Sequence, residues 1–213
     1  MKNFDVITFD CYGTLIDWQS GIRAAFAAAG VEPDAALRKY HEIEPVVERE
    51  RYRTYREVLR ETAARIAPDV KTNFLADSLP SWKPFPDTNR ALERLRAAGI
   101  RLGILSNVDD DLIAETRKHF SVDFDLVVTA QQVRSYKPGH AHFLAARERI
   151  GDAKWLHAAQ SNFHDIVPAN ALGIPNAWIN RNREKALAGG RPTYEFRDLD
   201  ELARSASSDR SKS

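Results

Sequence analysis

The sequence predicts an α/β chain: a doubly wound, Rossmann-like parallel sheet with an all-helical cap inserted after its first strand. Three observations predict it. Five short apolar runs alternate mostly with segments of helical pattern, as a parallel sheet requires. The stretch from residue 17 to 84 contains no convincing strand. The residues that close the apolar runs are polar in a concerted way, and doubly wound sheets bind ligands at those ends.

The first run, "DVITF" (5–9), is continuous and apolar enough to be buried on both faces. It stops at Asp10 and is followed by Cys11, Tyr12, Gly13 and Thr14. The next segment includes "DAALRKYHEIEPVVERERYRTYREVLRETAARI" (34–66), charged throughout, with apolar residues at helical spacing and an interruption at Pro45. "SLPSWKPFPDT" (78–88) carries three prolines and reads as a linker. Two faces of one sheet leave little room for this many extra helices, so they are expected to form a separate cap.

The sheet resumes near residue 86. "DTNRALERLRAAG" (87–99) has an aspartate in front and a glycine behind, both cap signals. "RLGILS" (101–106) is the second strand. Residues 109–120 begin with three aspartates, which favour a helix N-terminus. "DLVVT" (125–129) is the third strand. "PGHAHFLAARERIG" (138–151) starts with proline and ends with glycine, as helices do. "WLHAA" (155–159), the helical "DIVPANALG" (165–173) and "NAWIN" (176–180) follow. The expected division is a core of residues 1–16 and 86–205, a helical cap of 17–85, and a disordered tail of 206–213.

Composition narrows the function. The 213 residues carry 31 basic and 30 acidic side chains, a net charge of +1, which argues against nucleic acid and membrane surfaces as partners. One cysteine rules out a disulfide within the chain and fits a reducing, cytoplasmic compartment. No apolar run approaches the roughly 20 residues of a membrane helix. Five of the six histidines, those at 41, 140, 142, 157 and 164, show no metal-ligand spacing backed by other ligands.

Four polar strand ends then stand out. They are Asp10, the Ser106–Asn107 pair, Lys137 in "VRSYKPGH", and Ser161, Asn162 and Asp165 in "QSNFHD". On loops that meet at one rim, four such ends in order are hard to explain as solvated turns.

The sequence resembles the haloacid dehalogenase superfamily over nearly its whole length. The resemblance rests on "FDCYGTL" (9–15), "ILSN" (104–107), "YKP" (136–138), "SNFHD" (161–165) and "WINR" (178–181), and is closest to the L-2-haloacid dehalogenases. It implies a hydrolase that cleaves the carbon–halogen bond of a small 2-haloacid. Asp10 would be the nucleophile, and water would then attack the aspartyl ester and release a 2-hydroxy acid. Lys137 would keep Asp10 ionised. Thr14, Ser106 and Ser161 would donate hydrogen bonds to Asp10 or to the substrate carboxylate, and Asn107 would hold substrate or halide. Asp165, steered by Asn162, would position or deprotonate the water. Lys39 falls where the family has a cap arginine near the carboxylate, with His41 beside it. Phe143 and Gln160 stand where the family has a tyrosine and a small serine.

Tyr12 decides between reactions. Superfamily phosphatases carry a second aspartate at that position to protonate the leaving alcohol. A halide needs no proton. Ser161 likewise replaces one of the acids with which those phosphatases hold Mg²⁺. No cofactor is therefore expected, with Mg²⁺ relevant only to a phosphatase-like hydrolase of a small metabolite, the second reading. A weakly active metabolite-binding protein is the third. The resemblance is also compatible with a homodimer.

Overall fold

A computed structural model describes residues 4–208. Six parallel strands form one sheet: β1 (Val6–Phe9), β2 (Arg101–Ser106), β3 (Leu126–Thr129), β4 (Trp155–Ala159), β5 (Asn176–Ile179) and β6 (Tyr194–Phe196). Their order is β3-β2-β1-β4-β5-β6. The first five are those the sequence predicts. β6 is new: three residues at the sheet edge, half-buried Tyr194 and Phe196 around an exposed Glu195, too short for a periodic signal.

β1, β4 and β5 are buried along their whole length, which is why their sequences are nearly unbroken apolar runs. The order reverses at β1, whose neighbours are β2 on one side and β4 on the other. This is the switch point at which doubly wound sheets open a crevice beyond their carboxyl ends. The helices of the core are α5 (Thr88–Ala97), α6 (Asp110–Thr116), α7 (Ala130–Val133), α8 (Ala141–Ile150), α9 (Val167–Ala171) and α10 (Leu199–Ser208).

Four helices lie between β1 and α5: α1 (Trp18–Ala28), α2 (Pro33–Glu50), α3 (Tyr55–Ile66) and α4 (Phe74–Ser78). They pack chiefly on one another, α1 on α2 and α4, α3 on α2 and α4. Pro45 does not interrupt this segment as expected. α2 runs through it, because Leu37, Tyr40 and Val47 are buried on either side and hold the register against one lost backbone bond. The break comes at residues 51–54, where Thr54 and Glu57 form a reciprocal capping box that starts α3.

The proline-rich stretch 78–88 is packed structure and not a free linker. Leu79–Ser81 form a 3₁₀ turn, Trp82 is buried against Gly21, and Ile16 bridges Pro84 antiparallel. The chain leaving the sheet and the chain returning to it are thereby bonded to each other: Asp17 N–H donates to the Lys83 carbonyl (2.9 Å) and Phe85 N–H to that of Leu15 (3.0 Å). Farther out, the buried Asp109 carboxylate accepts the backbone N–H groups of Tyr55 and Arg56, both at 2.9 Å, tying the N-terminus of α3 to the core. The tail expected from residue 206 is also corrected. α10 continues to Ser208, with Leu202, Ala203 and Ala206 buried. Residues 209–213 lie outside the described residues.

Candidate active site

The β1 carboxyl end delivers Asp10 to the switch point, with its backbone N–H bonded to the Ala158 carbonyl of β4 (3.1 Å). The chain then turns sharply at Gly13 (φ +102°), a conformation that strains any side chain; a Cβ there would also meet the Trp18 indole at 3.2 Å. The turn brings Thr14 back under Asp10, and its hydroxyl donates to Oδ2 at 2.9 Å.

Lys137 is buried beside them. Its three ammonium hydrogens go to Asp10 Oδ1 (2.9 Å), Asp165 Oδ1 (2.7 Å) and the Leu105 carbonyl (2.8 Å). With every donor used, the ammonium is fixed between two carboxylates. Burial favours its neutral form, but the two anions win and push its pKa up. Asp165 rides on a π-type turn, Asn162–Ile166, a geometry common at functional sites. Burial acts to raise its pKa, yet Lys137 and the bond from His157 pull it below the usual carboxylate range. Asp10 goes the other way. Burial raises it, Lys137 opposes, and the Asp165 charge raises it further. The two acids titrate as a pair, and the first proton goes to Asp10.

Sequence reasoning misses His157. Its Nε2 lies 3.0 Å from Asp165 Oδ1, and its Nδ1 lies 2.9 Å from Thr8 Oγ1, which also accepts from Trp155 Nε1 (2.7 Å). A carboxylate only accepts, so Nε2 carries the proton and Thr8 donates to Nδ1. A signal was available. Thr8 and His157 are polar residues inside apolar strands, and β1–β4 register pairs them directly.

Several predicted residues serve as supports. The Asn107 amide bonds both the carbonyl (3.1 Å) and the N–H (2.7 Å) of Lys137 and so holds the lysine loop, with one amide N–H left over at the cavity wall. Asn162 does not steer Asp165 as expected. Its amide donates to the Gly190 carbonyl (2.8 Å) and accepts from Leu187 N–H (3.1 Å), pinning a loop at the cavity mouth. A Cβ at Gly190 would collide with Asn162 Oδ1, so the contact needs glycine there. Ser161 caps the turn through its bonds to the His164 backbone (3.1 Å) and Nδ1 (3.0 Å). Among the described residues, Ser106 Oγ is buried and without a partner at the cavity wall. Asp165 Oδ2 is likewise buried and unpaired. Tyr12 lines the cavity, but its hydroxyl is bonded to Thr116 Oγ1 (2.8 Å). Burial pushes the Cys11 thiol well up, so it stays protonated.

A cavity of about 370 Å³ opens in front of Asp10, with walls from both the strand ends and the inserted helices. Lys39 does not reach it: the side chain is on the exposed face of α2. Its neighbours Tyr40 and His41 line the cavity, and one and two turns farther along α2 so do Glu44 and Glu48. Burial and then Arg23 lower the His41 pKa, so it is neutral at neutral pH. Gln160 also lines the cavity, with its backbone N–H on Thr14 Oγ1 (2.9 Å). Phe143 is buried edge-on to His157 and forms no part of the wall.

Residues 4–159 match the family described as haloacid dehalogenase-like hydrolase. The chain belongs to this family. It is 31% identical, over 95% of its length and 96% of the other's, to an (S)-2-haloacid dehalogenase of Pseudomonas putida. The L-2-haloacid dehalogenase RSc1362 superposes with a TM-score of 0.84 at 24% identity, covering 96% of this chain and 99% of that one. A Xanthobacter autotrophicus L-2-haloacid dehalogenase with chloropropionic acid covalently bound superposes with a TM-score of 0.78 at 21% identity, covering 94% and 97%. At such identities the superpositions establish the fold.

For the haloacid dehalogenase-like site here, the donor set fits a divalent cation poorly. Lys137 takes Oδ1 of both Asp10 and Asp165, Thr14 takes Asp10 Oδ2 and Ser161 is committed to His164, which leaves Asp165 Oδ2 as the one unpaired carboxylate oxygen of this cluster among the described residues. Among the described residues, no group of three or more acidic, histidine or cysteine side chains is placed to hold a metal, and no helix is long and apolar enough to cross a membrane.

Proposed function

We propose that this protein is a hydrolytic 2-haloacid dehalogenase that works through an aspartyl ester on Asp10. The observation that carries the reading is the Asp10–Lys137–Asp165 cluster facing a cavity with no acid at position 12. The Asp10 carboxylate attacks the halogen-bearing carbon, a C–O bond forms, and halide leaves with the C–X electron pair. Water then adds to the ester carbonyl of Asp10. Collapse frees the 2-hydroxy acid, restores the carboxylate and releases one proton.

Each role has its support. Lys137 holds Asp10 ionised and aimed, and Thr14 holds its other oxygen. Asp165 Oδ2, buried without a partner, is the acceptor that orients the hydrolytic water. Ser106 Oγ, also unpartnered, is the donor for the substrate carboxylate. Residues 17–85 act as a cap whose α2 closes the cavity over Asp10. A phosphatase reading fares worse, because the Tyr12 hydroxyl is spent on Thr116 and the metal donor set is poor.

The test is halide release from chloro- and bromo-acetate and from L- and D-2-chloropropionate, in chelator, with Asp10→Asn as control. Release that vanishes in the control supports the reading. Phosphate release that needs Mg²⁺, without halide release, overturns it. One turnover in ¹⁸O-water adds a second check: label belongs in Asp10 and not in the hydroxy acid.

A further inference from the structure

The cap wall that faces the nucleophile is acidic. Tyr40, Glu44 and Glu48 follow at intervals of four on α2 and so share one face, and all three line the cavity. Glu44 Oε1 accepts from the Tyr55 hydroxyl at 3.2 Å and from Tyr40 at 3.4 Å. Its second oxygen receives no hydrogen bond among the described residues. Glu48 has neither a hydrogen bond nor an ion pair among them.

No cap lysine or arginine lines this cavity; Arg49, next to Glu48 on α2, faces a neighbouring pocket and pulls on Glu48 less than burial and the Glu44 charge push it. Lys39 points away, and the two histidines on the wall, His41 and His164, have pKa values lowered by burial. Lys137 is fully used by Asp10, Asp165 and Leu105. Lys185 is exposed at the mouth, beside Glu184. A second carboxylate on the substrate would meet repulsion on this wall, whereas a cation would meet two unpaired acceptors. The cavity, at about 370 Å³, also has room beyond a two- or three-carbon haloacid.

Resting on the dehalogenase reading, we propose that Glu44 and Glu48 select 2-haloacids whose side chain ends in an ammonium group. The substrate carboxylate then lies toward Ser106, the halogen-bearing carbon in front of Asp10, and the ammonium between the two glutamates. Glu44 is held by its tyrosines, while Glu48 supplies the free carboxylate.

Two matched pairs test this at about pH 8.5, above the value of about 7 to which burial raises Glu44 and below the ordinary value of the amine; Glu48, raised by burial and by Glu44, is drawn toward its ionised form by the ammonium beside it. Halide release is compared for L-2-bromo-6-aminohexanoate and L-2-bromohexanoate. Binding is compared by calorimetry for the halogen-free 6-aminohexanoate and hexanoate. The amino member of each pair is expected to win by roughly tenfold or more in kcat/KM and in Kd. Glu48→Gln and, separately, Glu44→Gln should bring both ratios toward one, and Glu48→Gln should raise kcat/KM for bromohexanoate. A wild-type binding ratio at or below one overturns the proposal, as does a preference that both variants retain. If neither bromo acid releases halide, the dehalogenase reading fails, while the calorimetric pair still decides the selectivity.

Discussion

His157 Nε2 donates to Asp165 Oδ1 at 3.0 Å, and the same oxygen accepts Lys137 Nζ at 2.7 Å. One carboxylate oxygen is thus saturated from inside the fold, which leaves Oδ2 for the cavity. His157 is a positioning residue in this arrangement. His157→Phe removes one bond to a charged group, worth roughly 1.5–3 kcal/mol, and so should slow ester hydrolysis by about tenfold to a hundredfold. Rapid-quench mass spectrometry should show the alkylated enzyme accumulating while the first halide burst is kept. Equal loss of burst and steady state would count against the role.

Tyr12 gives the second prediction. Its hydroxyl bonds Thr116 and its ring packs edge-on to Trp82, centroids 6.0 Å apart. Burial pushes the phenol pKa well up, so it carries no charge near Asp10. Tyr12→Phe should therefore cost stability, about 0.5–1.5 kcal/mol for one hydrogen bond, or roughly 2–4 °C in Tm per kcal/mol at this size. Halide release should survive. A variant that keeps its Tm but loses turnover would make the hydroxyl chemical after all.

The strand ends were legible because each is a polar residue closing an apolar run, and their convergence follows from sheet topology alone. Asp10, Lys137 and Asp165 meet as expected for that reason. Roles one bond away from the nucleophile were not legible. Asn107 and Asn162 look like ligands for substrate in one dimension, but each satisfies the backbone of a distant loop, and nothing local marks which loop. Lys39 illustrates a different limit. A shift of one residue turns a helical side chain by about 100°, so an ungapped comparison that lands on 39 misses the wall made by 40, 44 and 48. The capping box at Thr54–Glu57 was readable and marks the true helix break, while Pro45 drew attention to the wrong place.

Lys137 is the third test. Lys137→Met leaves Asp10 and Asp165 adjacent with no cation, and breaking a buried pair costs about 3–5 kcal/mol. The Asp165 pKa is depressed, so its stabilisation exists above the ordinary carboxylate range and is lost as pH falls toward its folded value. The Lys137 pKa is raised, so its contribution exists below the ordinary lysine range and is lost only in strong alkali. Wild type keeps both across neutral pH, and the variant loses both. Asp10 is already raised, and without the ammonium it must rise further. The acid limb of kcat/KM should move to higher pH, with activity near neutrality down by at least about a hundredfold. An unmoved acid limb would show that Asp10 is not the group titrating.

Glu44 supplies the fourth. Burial raises its pKa to about 7 against the opposing bonds from Tyr55 and Tyr40. A raised acid favours the folded state while it is protonated. That contribution is present below the ordinary glutamate range and is lost as pH climbs through about 7. Glutamine is neutral throughout, so Glu44→Gln removes the titration. A tenfold change in proton affinity is worth about 1.36 kcal/mol. The rise from the ordinary glutamate value to about 7, discounted because the cavity admits water, is then worth on the order of 2 kcal/mol. The Tm of Glu44→Gln should therefore gain on wild type by roughly 4–8 °C as pH rises from about 5 to about 8. Glu48 is also raised, first by burial and then by the Glu44 charge, so removing that charge lets it ionise sooner, shrinks its own loss of stability with pH and adds to the gain. The Glu44→Gln and Glu48→Gln double variant should have the flattest profile of all. Parallel Tm curves for wild type and Glu44→Gln across this range would mean that Glu44 is ionised in the folded protein at acid pH, with the two tyrosine hydroxyls holding its charge instead of its proton.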